Sequence, residues 1–128
     1  MPARLQRQRR KGWTAPDGAI YVGRGSRWGN HWVAWRDTDG ECWWVSCGGC
    51  HHGPFADREE AHQQAADLYR TDLTTPGPHH TRLIDPVPTP ADAWKHLRGR
   101  DLMCWCRPDL PCHADILLTI ANDQHPAF

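Results

Sequence analysis

The stretch that decides the fold is DLMCWCRPDLPCHADILLTIA, residues 101–121, called here the closing segment. Asp101–Cys106 is a short apolar run typical of a buried strand, and the RPDLP that follows is typical of a tight loop. His113–Ala121 then carries apolar residues at helical spacing, and Asn122 is a natural stop. The predicted inward positions are Ile116, Leu117 and Ile120. The segment therefore predicts a strand, a loop and a helix in direct succession.

Strand and helix signals alternate through the rest of the chain. Gly18–Gly23 (GAIYVG) predicts a buried strand. His31–Arg36 and Glu41–Ser46 flank a DTDG turn and predict a β-hairpin. One helix is predicted over Asp57–Asp72, where Asp57 and a glutamate three positions later form a capping box. Another helix is predicted within Thr89–Gly99, where a threonine cap is followed by a proline at the first helical position.

These elements predict an α/β domain, a small Rossmann-like three-layer fold with the hairpin added at one side. Thr74–Pro88 contains four prolines and is expected to be an extended loop, with a brief strand at Arg82–Ile84. The expected division is a basic, flexible N-terminal arm over residues 1–17, one domain over 18–122 and a tail over 123–128.

Composition narrows the class of protein. The 128 residues include fifteen basic and fifteen acidic side chains, so general nucleic-acid binding is not implied, and the basic arm is the segment through which nucleic acid would be contacted. Apolar runs are far shorter than the ~20 residues that cross a bilayer, so no membrane partner is expected. Six cysteines without a secretory signal predict a reducing compartment, the cytoplasm. Eight tryptophans fill a core or stack on a ligand.

The closing segment carries the sharpest chemical pattern. Cys104 and Cys106 stand at the end of the predicted strand, and Cys112 with His113 starts the following helix. Ligands of α/β domains bind at such strand ends, and a helix start favours anions and thiolates. Cys112 is therefore the candidate reactive thiolate. Cys106 and Arg107 are candidates for ligand binding. The candidate catalytic residues are Cys112, His113 and Asp115.

Two other interpretations of these residues stay open. Cys104, Cys106, Cys112 and His113 are all ligands that zinc accepts, although their spacing matches no common zinc motif and ligation by two adjacent residues is awkward. Alternatively they are simply buried thiols, the better interpretation for Cys104 in the middle of the predicted strand.

A second group, the hairpin cysteines Cys42, Cys47 and Cys50, is followed by His51 and has a C-x-x-C step. This is a stronger local metal signature than that of the closing segment, and it predicts a structural zinc site built from these four residues. A zinc ion bridging the two cysteine groups is a further possibility, and a glycine-rich hairpin exit with incidental cysteines is the alternative. Zinc is thus the cofactor that the cysteines indicate.

The third motif, here the arginine loop, is GRGSRWGN at Gly23–Asn30. Glycines let backbone amides approach a ligand, Arg24 and Arg27 offer forked donors for phosphate or carboxylate, and Trp28 offers a stacking face. The loop lacks the spacing of a dinucleotide fingerprint. A plain turn with surface arginines is the alternative. The predicted ligand-binding residues are Arg24, Ser26, Arg27, Trp28, Gly29 and Asn30.

At these residues the chain resembles a bacterial and phage family, domain of unknown function 4326 (DUF4326). The family opens with Tyr-Val-Gly-Arg and Ser-x-Trp-Gly-Asn, which correspond to Tyr21–Arg24 and Ser26–Asn30. It closes with Leu-Arg-Gly-x-Asp-Leu-x-Cys-Trp-Cys and Pro-Cys-His-x-Asp-x-Leu-Leu, which correspond to Leu97–Cys106 and Pro111–Leu118. The resemblance covers about Gly18–Asn122.

His31 departs from the family, which usually has proline there, and the hairpin cysteines lie in a region that is not a recognised family feature. The closing segment also resembles domain of unknown function 488, which has Leu-Leu-Cys-Ala-Glu followed by Cys-His. Cys104, Cys112 and His113 match that pattern, whereas Cys106 stands where that family has glutamate. Both resemblances imply a Rossmann-like fold and nucleotide-related or nucleic-acid-related ligands.

The leading functional hypothesis is a domain that holds a nucleotide-like or other anionic ligand between Arg24–Asn30 and Cys106–Asp115. Cleavage of a glycosidic or phosphoester bond would suit its residues. A noncatalytic, zinc-stabilised interaction module that contacts nucleic acid is the first alternative, and a factor that binds a partner protein through the tryptophan-rich hairpin is the second. The sequence does not indicate an oligomeric state.

Overall fold

The computed structural model describes residues 2–47, 50–75 and 88–124. Within them the chain is a mixed α/β domain with two three-stranded sheets and three helices. The strands are β1 (Arg4–Gln6), β2 (Ile20–Tyr21), β3 (Val33–Arg36), β4 (Trp43–Ser46), β5 (His51–Phe55) and β6 (Leu102–Cys104). The helices are α1 (Arg58–Thr74), α2 (Pro90–Leu97) and α3 (His113–Ala121). The predicted strand at Arg82–Ile84 lies outside the described residues.

The first sheet is parallel, in the order β1-β6-β2, with β6 between the other two strands. Leu102 pairs with Arg4 on one side and with Ile20 on the other. The prediction of a flexible arm over residues 1–17 is therefore wrong for β1. The three-residue strand has too little apolar periodicity to be recognised from sequence, and it is held by a partner strand almost a hundred positions away.

The second sheet is antiparallel, in the order β3-β4-β5. Val33 pairs with Ser46 and Arg36 with Trp43, which confirms the predicted hairpin. β5 adds a third strand to this hairpin, in a segment for which the sequence predicts no strand. The glycine and proline of HHGPF conceal this strand from a composition-based prediction.

The three predicted helices are confirmed, and their starts follow from local chemistry. Asp57 accepts a hydrogen bond from the Glu60 backbone N–H and begins α1, and Thr89 forms a capping box before the proline that opens α2. Helix α3 follows Cys112 at its N-cap and ends at Asn122, as predicted. Among the described residues, no helix has the length and apolar character needed to cross a membrane.

Helix α1 contributes to both hydrophobic cores and so joins the two sheets. Its Ala66, Tyr69 and Leu73 belong to the larger core around β6 and α3. Its Ala61 and Ala65 belong to the smaller core under the hairpin sheet. One side of the helix thus positions the closing segment, and a neighbouring side positions the hairpin.

Candidate functional site

A cavity of about 150 Å³ opens where β2 and β6 end. These strands are parallel, so their carboxyl ends meet at one edge of the sheet, where α/β domains place their ligands. The arginine loop and the closing segment both contribute to its wall, as the sequence predicts, together with residues of β3 and α1. The lining residues are Gly23, Arg24, Asn30, Trp32, Ala34, His62, Ala65, Ala66, Cys104, Trp105, Cys106, Pro111, Cys112 and His113.

Two buried hydrogen bonds fix the arginine loop: one joins the residue before the loop to the closing segment, and the other joins the loop itself to α1. His113 Nε2 donates to the Val22 carbonyl at 2.7 Å, and Tyr69 Oη donates to the Trp28 carbonyl at 2.9 Å. The rings of Tyr69 and His113 also meet edge to face, with centroids 5.0 Å apart. Because a carbonyl only accepts, the first bond places a proton on Nε2 of His113.

Three thiols meet at the floor of the cavity. The sulfurs of the thiol triad, Cys104, Cys106 and Cys112, all lie within 4.8 Å of one another, and those of Cys104 and Cys112 are 3.3 Å apart. Cys104 ends β6, Cys106 follows in the bend directly after the strand, and Cys112 approaches from the N-cap of α3. The strand, loop and helix of the closing segment thus produce the triad.

The triad concentrates negative charge on Cys112. Hydrogen bonds from Cys104 and Cys106 hold the pKa of Cys112 far below its ordinary value, and His113 lowers it further. The bond to Cys106 lowers the pKa of Cys104, but the bond to Cys112 and burial outweigh it and raise this pKa to about 11. Hydrogen bonds to Cys104 and Cys112 raise the pKa of Cys106 well above its usual range. The three thiols therefore titrate as a coupled group, in which loss of a proton from Cys112 is favoured over loss from the other two.

Arg4 of β1 anchors the loop of the closing segment beside the triad. Its Nη2 donates to the carbonyls of Arg107 and Pro108 at 3.2 and 2.7 Å, and its Nη1 is 3.4 Å from Asp115 Oδ2. Burial lowers the pKa of Arg4, but the Asp115 carboxylate and the Cys112 thiol raise it more, and the pKa is raised overall. A largely buried cation thus lies next to Cys112.

Within the arginine loop, the structure places Arg24 and Asn30 at the cavity and the other predicted residues elsewhere. Arg27 Nη2 donates to Asp92 of α2 at 2.9 Å, and its guanidinium covers the ring of Trp28. Trp28 is only 7% exposed and belongs to the larger core, so its indole is not available to stack on a ligand.

Ser26 and Gly29 shape the arginine loop and do not line the cavity. Ser26 Oγ donates to the Gly23 carbonyl at 2.6 Å, and the Gly29 N–H donates to the Ser26 carbonyl at 3.2 Å. A side chain at Gly29 would approach the Gly23 carbonyl to 3.0 Å, so the close turn requires glycine here. Both residues stabilise the turn, and their predicted ligand-binding role stays a prediction.

Within the closing segment, Cys106, Cys112 and His113 line the cavity, whereas Arg107 and Asp115 do not. Arg107 is exposed and pairs with Asp109 at 2.8 Å. The Asp115 carboxylate accepts the Cys112 backbone N–H and pairs with Arg4, so its observed role is to cap α3. The predicted roles of Arg107 in ligand binding and of Asp115 in catalysis are not supported by these positions.

The hairpin cysteines do not form a metal-binding group among the described residues. Cys47 and Cys50 are joined by a disulfide, which occupies the two thiols of the C-x-x-C step. Cys42 is a separate free thiol, and His51 Nδ1 is 2.5 Å from Ser46 Oγ. The predicted zinc site at Cys42, Cys47, Cys50 and His51 is corrected accordingly, because two sulfurs bonded to each other are not thiolate ligands.

Other residues at the site are not identified by the sequence motifs. His62, Ala65 and Ala66 follow one another at helical spacing, so they share one face of α1, and this periodicity was the signal that would have found His62. Trp105 is 38% exposed at the cavity edge, and the guanidinium groups of Arg7 and Arg9 lie 5.3 and 4.6 Å from its ring. The basic residues after β1 therefore pack at the cavity.

The fold and the cavity define a class: a small mixed α/β domain with a cysteine-rich pocket at the ends of parallel strands. The chain belongs to the family described as a domain of unknown function (DUF4326), whose profile matches residues 5–123. This confirms the first resemblance, and the match begins within β1 and not at residue 18. The likeness to domain of unknown function 488 stays a prediction. No curated protein and no solved structure matches the chain.

Proposed function

We propose that the protein binds a small anionic, nucleotide-like ligand in the cavity at the ends of β2 and β6. The observation that carries the proposal is the shared wall, in which Arg24 and Asn30 face Trp105, Cys106 and the start of α3. A Rossmann-like arrangement, which the sequence predicts, would place a nucleotide at this edge of a parallel sheet.

The cations around the cavity support an anionic ligand. The chain has no net charge, yet Arg24 lines the cavity and Arg7 and Arg9 pack on Trp105 at its edge. Guanidinium groups bind phosphate and carboxylate through forked donors, and the N-terminus of α3 adds a positive dipole end. Negative charge on a ligand is therefore favoured at the cavity mouth.

The aromatic wall supports a planar group on the ligand. Trp105 is half-exposed and offers a face for stacking. Trp32 lines the cavity but is buried, and its Nε1 donates to Asp72 Oδ2 at 2.8 Å, so it forms a fixed part of the wall. In this proposal Trp105 takes the stacking role that the sequence assigns to Trp28.

The geometry supports binding more directly than catalysis. Cleavage of a glycosidic or phosphoester bond needs a nucleophile and an acid at the same bond. Cys112 supplies a thiolate, but both ring nitrogens of His113 already face protein atoms, the Val22 carbonyl and the Cys112 sulfur. Asp115 lies outside the cavity wall.

Calorimetric titration with nucleoside mono-, di- and triphosphates and with inorganic phosphate tests the proposal. Arg24→Ala is expected to weaken binding at least tenfold, about 1.4 kcal/mol, because it removes a charged donor. Arg107→Ala is the matched control, since Arg107 is an exposed arginine outside the cavity wall, and it should leave the affinity unchanged. No binding by the wild-type protein, or equal losses in both variants, would reject the cavity as the site.

A second candidate, contact with a nucleic-acid strand, is favoured by the packing of Arg7 and Arg9 on Trp105. Interleaved arginines and an exposed aromatic ring are the elements of single-strand binding sites. Fluorescence anisotropy with short single-stranded oligonucleotides should show salt-dependent binding that Trp105→Ala weakens. Trp35→Ala is the control, since Trp35 is similarly exposed on the hairpin. Equal affinity of the two variants would rule out this surface.

A further inference from the structure

We propose that Cys104, Cys106 and Cys112 bind a zinc ion at the floor of the cavity. The three thiols come from two elements, the end of β6 and the start of α3, and all three residues line the cavity. The site lies in the cavity proposed above for an anionic ligand and shares Cys106 with its wall, but it is tested separately, since its probe is a metal ion and its variant is at a cysteine and not at Arg24.

The spacing of the sulfurs fits one tetrahedral ion. With Zn–S bonds of about 2.3 Å, sulfurs on a tetrahedral zinc are about 3.8 Å apart. The triad lies within 4.8 Å, and the Cys104–Cys112 pair, at 3.3 Å, is slightly closer than this spacing. Bringing the three sulfurs to this spacing changes the distances between them by no more than about 1 Å, which is within the reach of side-chain rotation.

The surroundings of Cys112 orient its sulfur toward the other two thiols. His113 Nδ1 is 3.5 Å from Cys112 Sγ, and the ring is fixed by the bond from Nε2 to the Val22 carbonyl. Groups that fix a ligand's orientation in this way are a regular part of metal sites. His113 therefore acts as a positioning residue for the proposed site.

The charge around the triad suits three thiolates with one divalent cation. Each thiol that binds zinc releases its proton to solvent, so the complex carries one net negative charge. The side chain of Arg4, only 11% exposed, lies beside Cys112, and the N-terminus of α3 points at the same sulfur. Both compensate the remaining charge. Because the three thiol residues line the cavity, the fourth zinc position faces it.

The test uses the full-length reduced protein, loaded with zinc, passed over a desalting column and measured by elemental analysis. One zinc per chain is expected. Cys106→Ser should weaken zinc binding by at least about a hundredfold, because loss of an outer partner alone costs about 10- to 100-fold. The double variant Cys47→Ser/Cys50→Ser is the control, since reduction frees these two thiols as competing ligands, and it should retain one zinc.

A second measurement does not depend on whether a variant folds. Cobalt(II) added to the reduced wild-type protein should give the intense near-ultraviolet sulfur-to-metal charge-transfer band and the visible bands of a tetrahedral thiolate site. Absence of these bands together with absence of zinc would overturn the proposal. Retention of zinc by Cys106→Ser, or its loss from the control double variant, would also overturn it, because the ion would then lie at the hairpin cysteines.

Discussion

The hairpin cysteines and the thiol triad differ in how the backbone positions their sulfur atoms. Cys47 and Cys50 lie on one connection between β4 and β5 and bond to each other. The triad draws on a strand end and a helix start, so its sulfurs approach from different directions and meet without bonding. In this chain the three-thiol group therefore depends on the convergence of two elements, whereas the hairpin connection holds a bonded pair.

The two regions also differ in what surrounds their polar groups. In the closing segment, His113 is buried and hydrogen-bonded to the backbone of another segment. In the hairpin, His51 is exposed on β5 and bonds to Ser46 on the neighbouring strand. Equivalent substitutions in the two regions should therefore have unequal effects, which the following predictions use.

The largest difference in stability is expected between the variants His113→Ala and His51→Ala. The first leaves the Val22 carbonyl without its donor and opens a cavity beside Tyr69, so it should lower the free energy of unfolding by about 3 to 4 kcal/mol. The second removes an exposed ring and should cost less than about 1 kcal/mol. Urea denaturation of both variants measures the values. Similar losses of stability in the two variants would contradict the larger structural role of the closing segment.

A second pair compares arginines that donate to backbone carbonyls. Arg4→Ala removes two such bonds and an ion pair with the half-exposed Asp115, and it should cost about 2 to 3 kcal/mol. Arg36→Ala removes bonds to Gly40 within the exposed hairpin turn and should cost less than about 1 kcal/mol. Thermal unfolding of the two variants measures these losses of stability. A loss in Arg36→Ala as large as that in Arg4→Ala would contradict the anchoring role of β1.

Local chemistry was enough to predict the helices and the hairpin. Asp57 and the Thr89-Pro90 pair have partners within three positions, so a single sequence carries the whole signal. β1 escaped prediction because its partner is far along the chain, and its side chains have no clear period. Elements whose contacts lie within a few residues can therefore be predicted from this sequence, whereas a strand held by a distant partner cannot.

The sequence indicated which two segments line the cavity, but not what each of their residues does there. Strand ends and a helix start located the cavity correctly between the two segments. The burial of Trp28 could not be predicted, because it depends on α1 and the larger core, which the loop sequence does not reveal. The C-x-x-C step was the stronger metal signature, yet the triad formed elsewhere because the RPDLP turn brings Cys112 back to Cys104.

A smaller effect is expected from removal of the hairpin disulfide. The Cys47→Ser/Cys50→Ser variant opens a loop of sequence separation 3, so the loss of stability should be about 1 to 2 kcal/mol under oxidising conditions. Wild-type protein in reductant should unfold at the same denaturant concentration as the variant in reductant. A loss exceeding that of His113→Ala would reverse the order of importance of the two regions.

The smallest expected effect is on the stability of the fold at acid pH. Burial raises the pKa of Asp92, but hydrogen bonds from Thr89 and the charge of Arg27 outweigh it and hold this pKa below the ordinary 3.8. The folded state thus favours the carboxylate, and the stabilisation is present above pH 3.8 and is lost as the pH falls through the lower folded pKa. Since the group is partly solvated, the contribution should be less than about 1 kcal/mol.

Asp92→Asn should therefore make the acid-side decline of stability shallower, measured by urea denaturation at several pH values. In the hairpin, a hydrogen bond with Asp39 lowers the pKa of Asp37, and bonds from Cys42, Trp44 and Glu41 outweigh the small opposing effect of burial. Because that carboxyl group is exposed, Asp37→Asn should change the slope less than Asp92→Asn does. The reverse order would show that the hairpin turn, and not the contact of the arginine loop with α2, carries the acid sensitivity of the domain.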